Sequence, residues 1–171
     1  SGKSSFYSAG WNNRENLIPA NPNSLFRIAR ISKLFIAAAT TKLIASNDLN
    51  VDDKLVDLLH EVNGRIEYAD EITIKMMLGN RSGIPEYMYL PDYESDTDEE
   101  YLTTASLIFD QPDDFKPDKK YAYCNTDYRL IGAILDKTLG YSHHKFIKNR
   151  ILTPLNLNNT YSRFNEVDPE D

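Results

Sequence analysis

Between residues 29 and 46 apolar side chains point in nearly every direction around a helix axis: Ile31, Leu34, Phe35, Ile36, Ala37, Ala38, Ala39, Leu43, Ile44 and Ala45 leave almost no polar stripe. A surface helix keeps one polar face, so the pattern predicts a long helix buried inside a domain. Shorter helices are predicted at "VDDKLVDLL" (51–59) and "EITIKMML" (71–78), the second stopped by the turn "GNRSGIP" with its Gly79, Gly83 and Pro85. An amphipathic helix follows over 126–139, closed by Gly140, and "SHHKFIKNRIL" makes the last one. Residues 92–100, "DYESDTDEE", read as an acidic loop leading into a helix that ends near Phe109. Residues 5–11 are aromatic and small and read as a strand, followed by the polar turn "NNREN" and the proline-punctuated "IPANPNS". One strand followed only by helices predicts part of a larger α/β body, because helices need something to pack on. With no internal repeat and no linker, residues 1–171 read as one domain.

Composition narrows the partners. The 171 residues, 41% hydrophobic and 26% charged, suffice for a single core. A net charge of −7 argues against nucleic acid, since phosphate binding needs a basic face. The single cysteine, Cys124, excludes an internal disulfide. No run approaches the roughly 18 apolar residues of a membrane span, so none is expected in this chain. The start, "SGKSSFYSAGW", lacks the basic-then-apolar order of a signal peptide. Six carboxylates within residues 92–100 raise calcium binding, but Thr97 stands where an EF-hand needs glycine and no glutamate occupies the twelfth position, so a solvated loop is expected.

Arg30 and Lys33 interrupt the first turn of the apolar helix, three positions apart and therefore on one face. Long cationic stems reach water past an apolar body, which places both at the surface on one reading. On the other, two cations converging beside the positive end of the helix dipole define a site for an anion. A hydroxyl one turn before a lysine is also the arrangement of a Ser-x-x-Lys hydrolase, in which the amine takes the serine proton. Position 30 is not serine.

Three stretches, in order, resemble the serine β-lactamase and penicillin-binding-protein superfamily, in its branch of class C β-lactamases, D-alanyl-D-alanine carboxypeptidases and related esterases. "LFRIARISKLFIAAATTKLI" is similar to the nucleophile helix, and "IKMMLGNRSGIPEY" to the helix and turn that usually ends His-Thr-Ser-Gly-Ile/Leu-Pro. "FDQPDDFKPDKKYAYCNTDYRLIGAILDKTLGYSHHKFIKNRILTPLNLNNTY" is similar to the Tyr-x-Asn segment and its two following helices. The resemblance implies an α+β fold of the serine β-lactamase/DD-peptidase type, present here as its helix-rich central part with few sheet strands. It implies acyl transfer through a serine ester on a β-lactam, a D-Ala-D-Ala peptide or an ester, without a cofactor or metal. It places the family's lysine on Lys33 and its Tyr-x-Asn pair on Tyr123 and Asn125, tyrosine and lysine sharing the proton traffic and asparagine holding the substrate amide. Residues i and i+2 of an extended segment point to one side, which suits that pair. The implied partner is a small molecule or peptidoglycan peptide, the implied place periplasmic or extracytoplasmic if the cell-wall role applies, and an open sheet edge invites self-association.

The departures are as informative. The family's serine falls on Arg30, whose guanidinium is always protonated and is no nucleophile. The turn's histidine and threonine fall on Asn80 and Arg81, while Ser82 and Gly83 match. The third motif, Lys-Thr-Gly or His-x-Gly on a late strand, has no counterpart before Asp171, and the family's first helix and strand would precede Ser1. The expectation is a partial domain. No substitute nucleophile emerges: Ser142, in the one literal Ser-x-x-Lys, reads as a helix N-cap, and Ser32 is expected to face inward. Cys124 reads as a small buried thiol, and the adjacent His143 and His144 diverge and are expected in solvent. Two functions follow: a serine-hydrolase relative left inactive by Arg30, or a non-catalytic β-lactamase-like protein that binds a peptide, cell-wall fragment or anion in the old cleft.

Overall fold

A short ribbon opens the chain in the computed structural model, which describes residues 5–91, 93, 101–162 and 166–167. Strand β1 (Trp11–Asn13) pairs antiparallel with β2 (Ile18–Pro19), Trp11 opposite Pro19 and Asn13 opposite Ile18. Asn13 Oδ1 accepts from Asn16 N at 2.9 Å, so the polar turn read from the sequence is where the chain reverses. The strand expected over residues 5–11 is a correction, because only Trp11 joins the ladder. The turn pairs the residues that flank it, and Phe6 and Tyr7, further out, stay exposed with no ladder partner among the described residues.

A 3-10 turn (Ala29–Ser32) leads into α1 (Lys33–Ala45), the two together filling the predicted 29–46 helix. Burial on all sides is not observed. Ile36, Ala39, Thr40 and Leu43 are buried, whereas Ile31 and Leu34 are 57% and 69% exposed. The helices packed on α1 cover one face only, and all-round hydrophobicity states which side chains could be covered rather than which are. Ser32 also faces outward, contrary to expectation, because the tighter 3-10 turn rotates it off the buried face.

Helices α2 (Leu55–Leu58) and α3 (Ile74–Leu78) start later than their apolar patterns do. An antiparallel bridge between Lys54 and Thr73 holds both residues extended and delays both helices. Thr73 then caps α3, its hydroxyl accepting from Met76 N at 3.3 Å. Helix α4 (Tyr101–Ala105) continues as a 3-10 turn (Ser106–Ile108), matching the expected end near Phe109. The acidic segment 92–100, Tyr93 apart, lies outside the described residues.

Helix α5 (Asn125–Leu139) is the central element and ends, as expected, on Gly140 in the left-handed region at φ 71°. Its Leu130, Ile131, Ile134 and Leu135 are buried in one core with Leu55, Ile72, Ile74, Met77 and Ile108. Gly132 lets α4 lie close: a Cβ there would stand 2.2 Å from the Tyr101 ring.

Helix α6 (His143–Ile147) passes into a π-helical turn (Lys148–Leu152) and a 3-10 turn (Thr153–Leu155). Two expectations are corrected here. Ser142 holds the N-cap position, but its side chain makes no capping bond. Asp136, in the last turns of α5, caps instead, its Oδ1 accepting from His143 N and, at 2.8 Å, from His143 Nδ1. With that partner His143 is buried rather than solvated, 1% exposed beneath the edge of Tyr101 at a ring separation of 4.6 Å. Burial pushes the Asp136 carboxyl up, but the bonds to His143 outweigh it and leave it below the usual carboxylate range. Asp136→Ala therefore removes a helix cap and strands a buried imidazole, and is expected to cost roughly 2–4 kcal/mol in denaturant unfolding.

Asp113, on the loop before α5, has both carboxylate oxygens buried without a hydrogen-bond partner. Burial, then the charges of Glu67 and Asp114, raise it from 3.8 to about 7. The folded chain thus keeps a proton that the unfolded chain sheds near pH 4, so stability falls as pH rises from about 4 through about 7. Asp113→Asn should leave the melting temperature little changed near pH 4.5 and raise it increasingly toward pH 8. A difference between variant and parent that stays constant across that range would contradict this.

Candidate active site

Tyr123, Cys124 and Asn125 run from an extended segment into the first turn of α5, Cys124 adopting φ −136° and ψ 124°. Alternation then sends Tyr123 and Asn125 to one side and Cys124 to the other. Cys124 is 3% exposed, and its Sγ donates to Ile84 O at 3.4 Å. Burial pushes the thiol up to about 12, the behaviour of a structural cysteine.

The turn after α3 braces this segment. Asn80, in the left-handed region at φ 51°, accepts from Ala122 N through its carbonyl and from Cys124 N through Oδ1, each at 3.1 Å. Arg81 Nε and Nη2 donate to Asp118 Oδ1 at 2.5 Å and to Asp118 O at 2.7 Å. The two positions that depart from the family's turn are thus ties to the Tyr-x-Asn segment. Gly83 is demanded twice, by φ 89° and by a Cβ that would stand 1.9 Å from Phe115 O.

Lys33 enters from the start of α1. Its Nζ donates to Tyr123 Oη at 2.7 Å and to Cys124 O at 3.5 Å. Tyr123 Oη in turn donates to Asn125 Oδ1 at 3.4 Å. The three residues picked from the sequence therefore meet. Two residues that sequence reasoning missed complete the site. Glu86 Oε2 accepts from Asn125 N at 2.6 Å and from Nδ2 at 2.8 Å, while Oε1 accepts from Met88 N at 3.2 Å. Met88 Sδ lies 3.2 Å from Asn125 Nδ2 and 3.8 Å from Arg30 Nη2. The available signal for Glu86 was its place directly after "SGIP".

Arg30 is exposed, and no carboxylate reaches it among the described residues. Ala29, just before it, sits at φ 47°, a conformation that costs a non-glycine residue energy and fixes how Arg30 leaves the turn. Behind the site, Asp127 is fully buried with neither oxygen hydrogen-bonded. Burial raises it well above the usual range, with the Lys33 charge pulling the other way, so its uncharged form is favoured.

Chemically, a phenol and an amine at 2.7 Å can exchange a proton. Arg30 offers a fixed charge and a fork of donors but no lone pair, so it can hold an anion and cannot attack a carbonyl. Among the described residues, no group of three or more His, Cys, Asp or Glu is placed to hold a metal ion, and no helix is long and apolar enough to cross a membrane.

Known proteins share this arrangement of elements. Penicillin-binding protein 4* of Bacillus subtilis is 29% identical over 156 residues, covering 89% of this chain and 34% of that protein. The chain thus spans about a third of the length of this curated relative. Among solved structures, the octameric penicillin-binding protein homologue from Pyrococcus abyssi superposes with a TM-score of 0.79 at 27% identity, over 95% of this chain and 38% of that one. The D-amino acid amidase from Ochrobactrum anthropi SV3 shares the fold with a TM-score of 0.76 at 23% identity, over 91% and 42%. The Beta-lactamase family model matches residues 1–170, and with the helix-rich fold it shows that the chain belongs to the β-lactamase family.

Proposed function

We propose that this chain carries the acid–base half of a β-lactamase-type acyl-transfer cleft in which Arg30 has replaced the nucleophile, so that the cleft binds a carboxylate ligand without forming an acyl-enzyme. The observation that supports this best is the Lys33–Tyr123 contact at 2.7 Å with Asn125 beside it, standing one turn from a guanidinium that has no carboxylate partner among the described residues. In this reading Lys33 and Tyr123 are the proton carriers, Asn125 the ligand anchor and Arg30 the anion grip, which a guanidinium makes in two-pronged fashion. The ligand classes that fit are those of the family: a β-lactam, a D-Ala-D-Ala or other peptidoglycan peptide, or an ester. We read residues 1–171 as one partial domain, in keeping with the third of its curated relative that the chain spans.

A second reading is favoured by the same contact. Intact proton carriers also suit an active serine hydrolase in which position 30 is serine. Arg30→Ser, made in the longest natural form of the chain, discriminates: rapid covalent labelling by a fluorescent penicillin after that one change supports the hydrolase reading.

Benzoate provides the direct test of the anion grip. Its binding, followed by calorimetry, should weaken with added salt and drop by about tenfold or more in Arg30→Ala, the worth of a charge-assisted pair. Equal affinity in chain and variant would remove Arg30 from the binding role.

A further inference from the structure

The side-chain amide of Asn125 is held in one orientation. Nδ2 faces Glu86 Oε2 at 2.8 Å and Met88 Sδ at 3.2 Å, and the same Glu86 oxygen takes Asn125 N at 2.6 Å. A carboxylate only accepts, so it fixes Nδ2 on its own side and turns Oδ1 toward Tyr123 Oη, 3.4 Å away. At the other end of the chain of bonds the Lys33 ammonium only donates, so Tyr123 Oη accepts from it and passes its own hydrogen to Oδ1. Every link therefore runs from the cation to the carboxylate. Reversing one would set two donors or two acceptors face to face, at the cost of leaving half-buried polar groups unpaired.

We infer that Glu86 is a positioning residue that makes Asn125 a hydrogen-bond acceptor toward the cleft, so that the ligand taken there brings an N–H donor together with its carboxylate. The inference rests on the carboxylate-binding reading above. An amide oxygen has two lone pairs, and the 3.4 Å contact to Tyr123 is a long one, so Oδ1 keeps capacity for a ligand. Met88 Sδ touches both Arg30 Nη2 and Asn125 Nδ2, at 3.8 and 3.2 Å, which brings guanidinium and anchor amide to one atom. An N-acyl amino acid, with N–H and carboxylate separated by a single carbon, offers a partner to each at comparably short range. A ligand that offered Oδ1 a carbonyl or ether oxygen would meet acceptor with acceptor.

The test compares hippurate with O-benzoylglycolate, the ester in which oxygen replaces the N–H, by calorimetry on the full chain. Hippurate should bind about tenfold more tightly, the worth of one hydrogen bond against an opposed acceptor pair. Glu86→Gln keeps the shape but lets the Asn125 amide turn over, and should bring the ratio close to one. Tyr123→Phe removes the donor that competes for Oδ1 and should preserve or widen the preference, which keeps the test decisive if Glu86→Gln does not fold. Equal binding of the two ligands, a preference undiminished in a folded Glu86→Gln, or one lost in Tyr123→Phe overturns the inference. So does failure of both ligands while benzoate still binds. If benzoate fails as well, the carboxylate reading of the cleft falls and the inference goes with it.

Discussion

The junction of Glu86 with the first residue of α5 is the constraint on which the site depends. One carboxylate oxygen takes both the backbone and the side-chain N–H of Asn125, at 2.6 and 2.8 Å. It satisfies a backbone donor that a helix start leaves free, and it places negative charge at the positive end of a 15-residue helix. Because α5 is also the helix on which α1, α3, α4 and α6 pack, the anchor residue is fixed to the core itself. Asn125 is thus positioned by the central, largely buried helix, and Tyr123, two residues earlier in an extended segment, is positioned with it.

The electrostatics around that junction form a gradient. Arg30 and Lys33 are the cationic end, Glu86 is the anionic end, and the neutral groups of Tyr123 and Asn125 are strung between them. Behind Lys33, burial pushes the Asp127 carboxyl up, which disfavours a second negative charge there. In a cleft of this kind a serine at position 30 would be a neutral nucleophile beside an amine. An arginine there adds a second fixed positive charge one helical turn from the first, and a bound carboxylate relieves the repulsion between them.

Much of this was legible in the sequence. Helical periodicity located α1 and α5, Gly140 marked the end of α5, and the Tyr-x-Asn spacing placed Tyr123 and Asn125 on one side with Cys124 buried on the other. What was not legible arises from contacts between residues distant along the chain. Glu86 and Asn125 are 39 positions apart, and no local pattern joins them. Asp136 and His143 meet only because α6 folds back on α5, so a cap and a buried histidine were read as a capping serine and a solvated ring. Thr73 and Lys54 bridge across a loop and shorten two helices whose apolar patterns run longer. The exposure of Ile31 and Leu34 has the same origin, since hydrophobicity describes one chain and coverage needs a second surface.

The account turns on Arg30 ending covalent chemistry while the rest of the cleft is kept. Intact-mass measurement of the denatured chain after prolonged incubation with benzylpenicillin tests this most directly. The account predicts an unmodified mass, because Arg30 stands where the nucleophile would sit one turn before Lys33, and a guanidinium has no lone pair with which to attack. A stable gain of one penicillin mass, mapped by peptide digestion to Ser32, Tyr123 or Lys33, would contradict it.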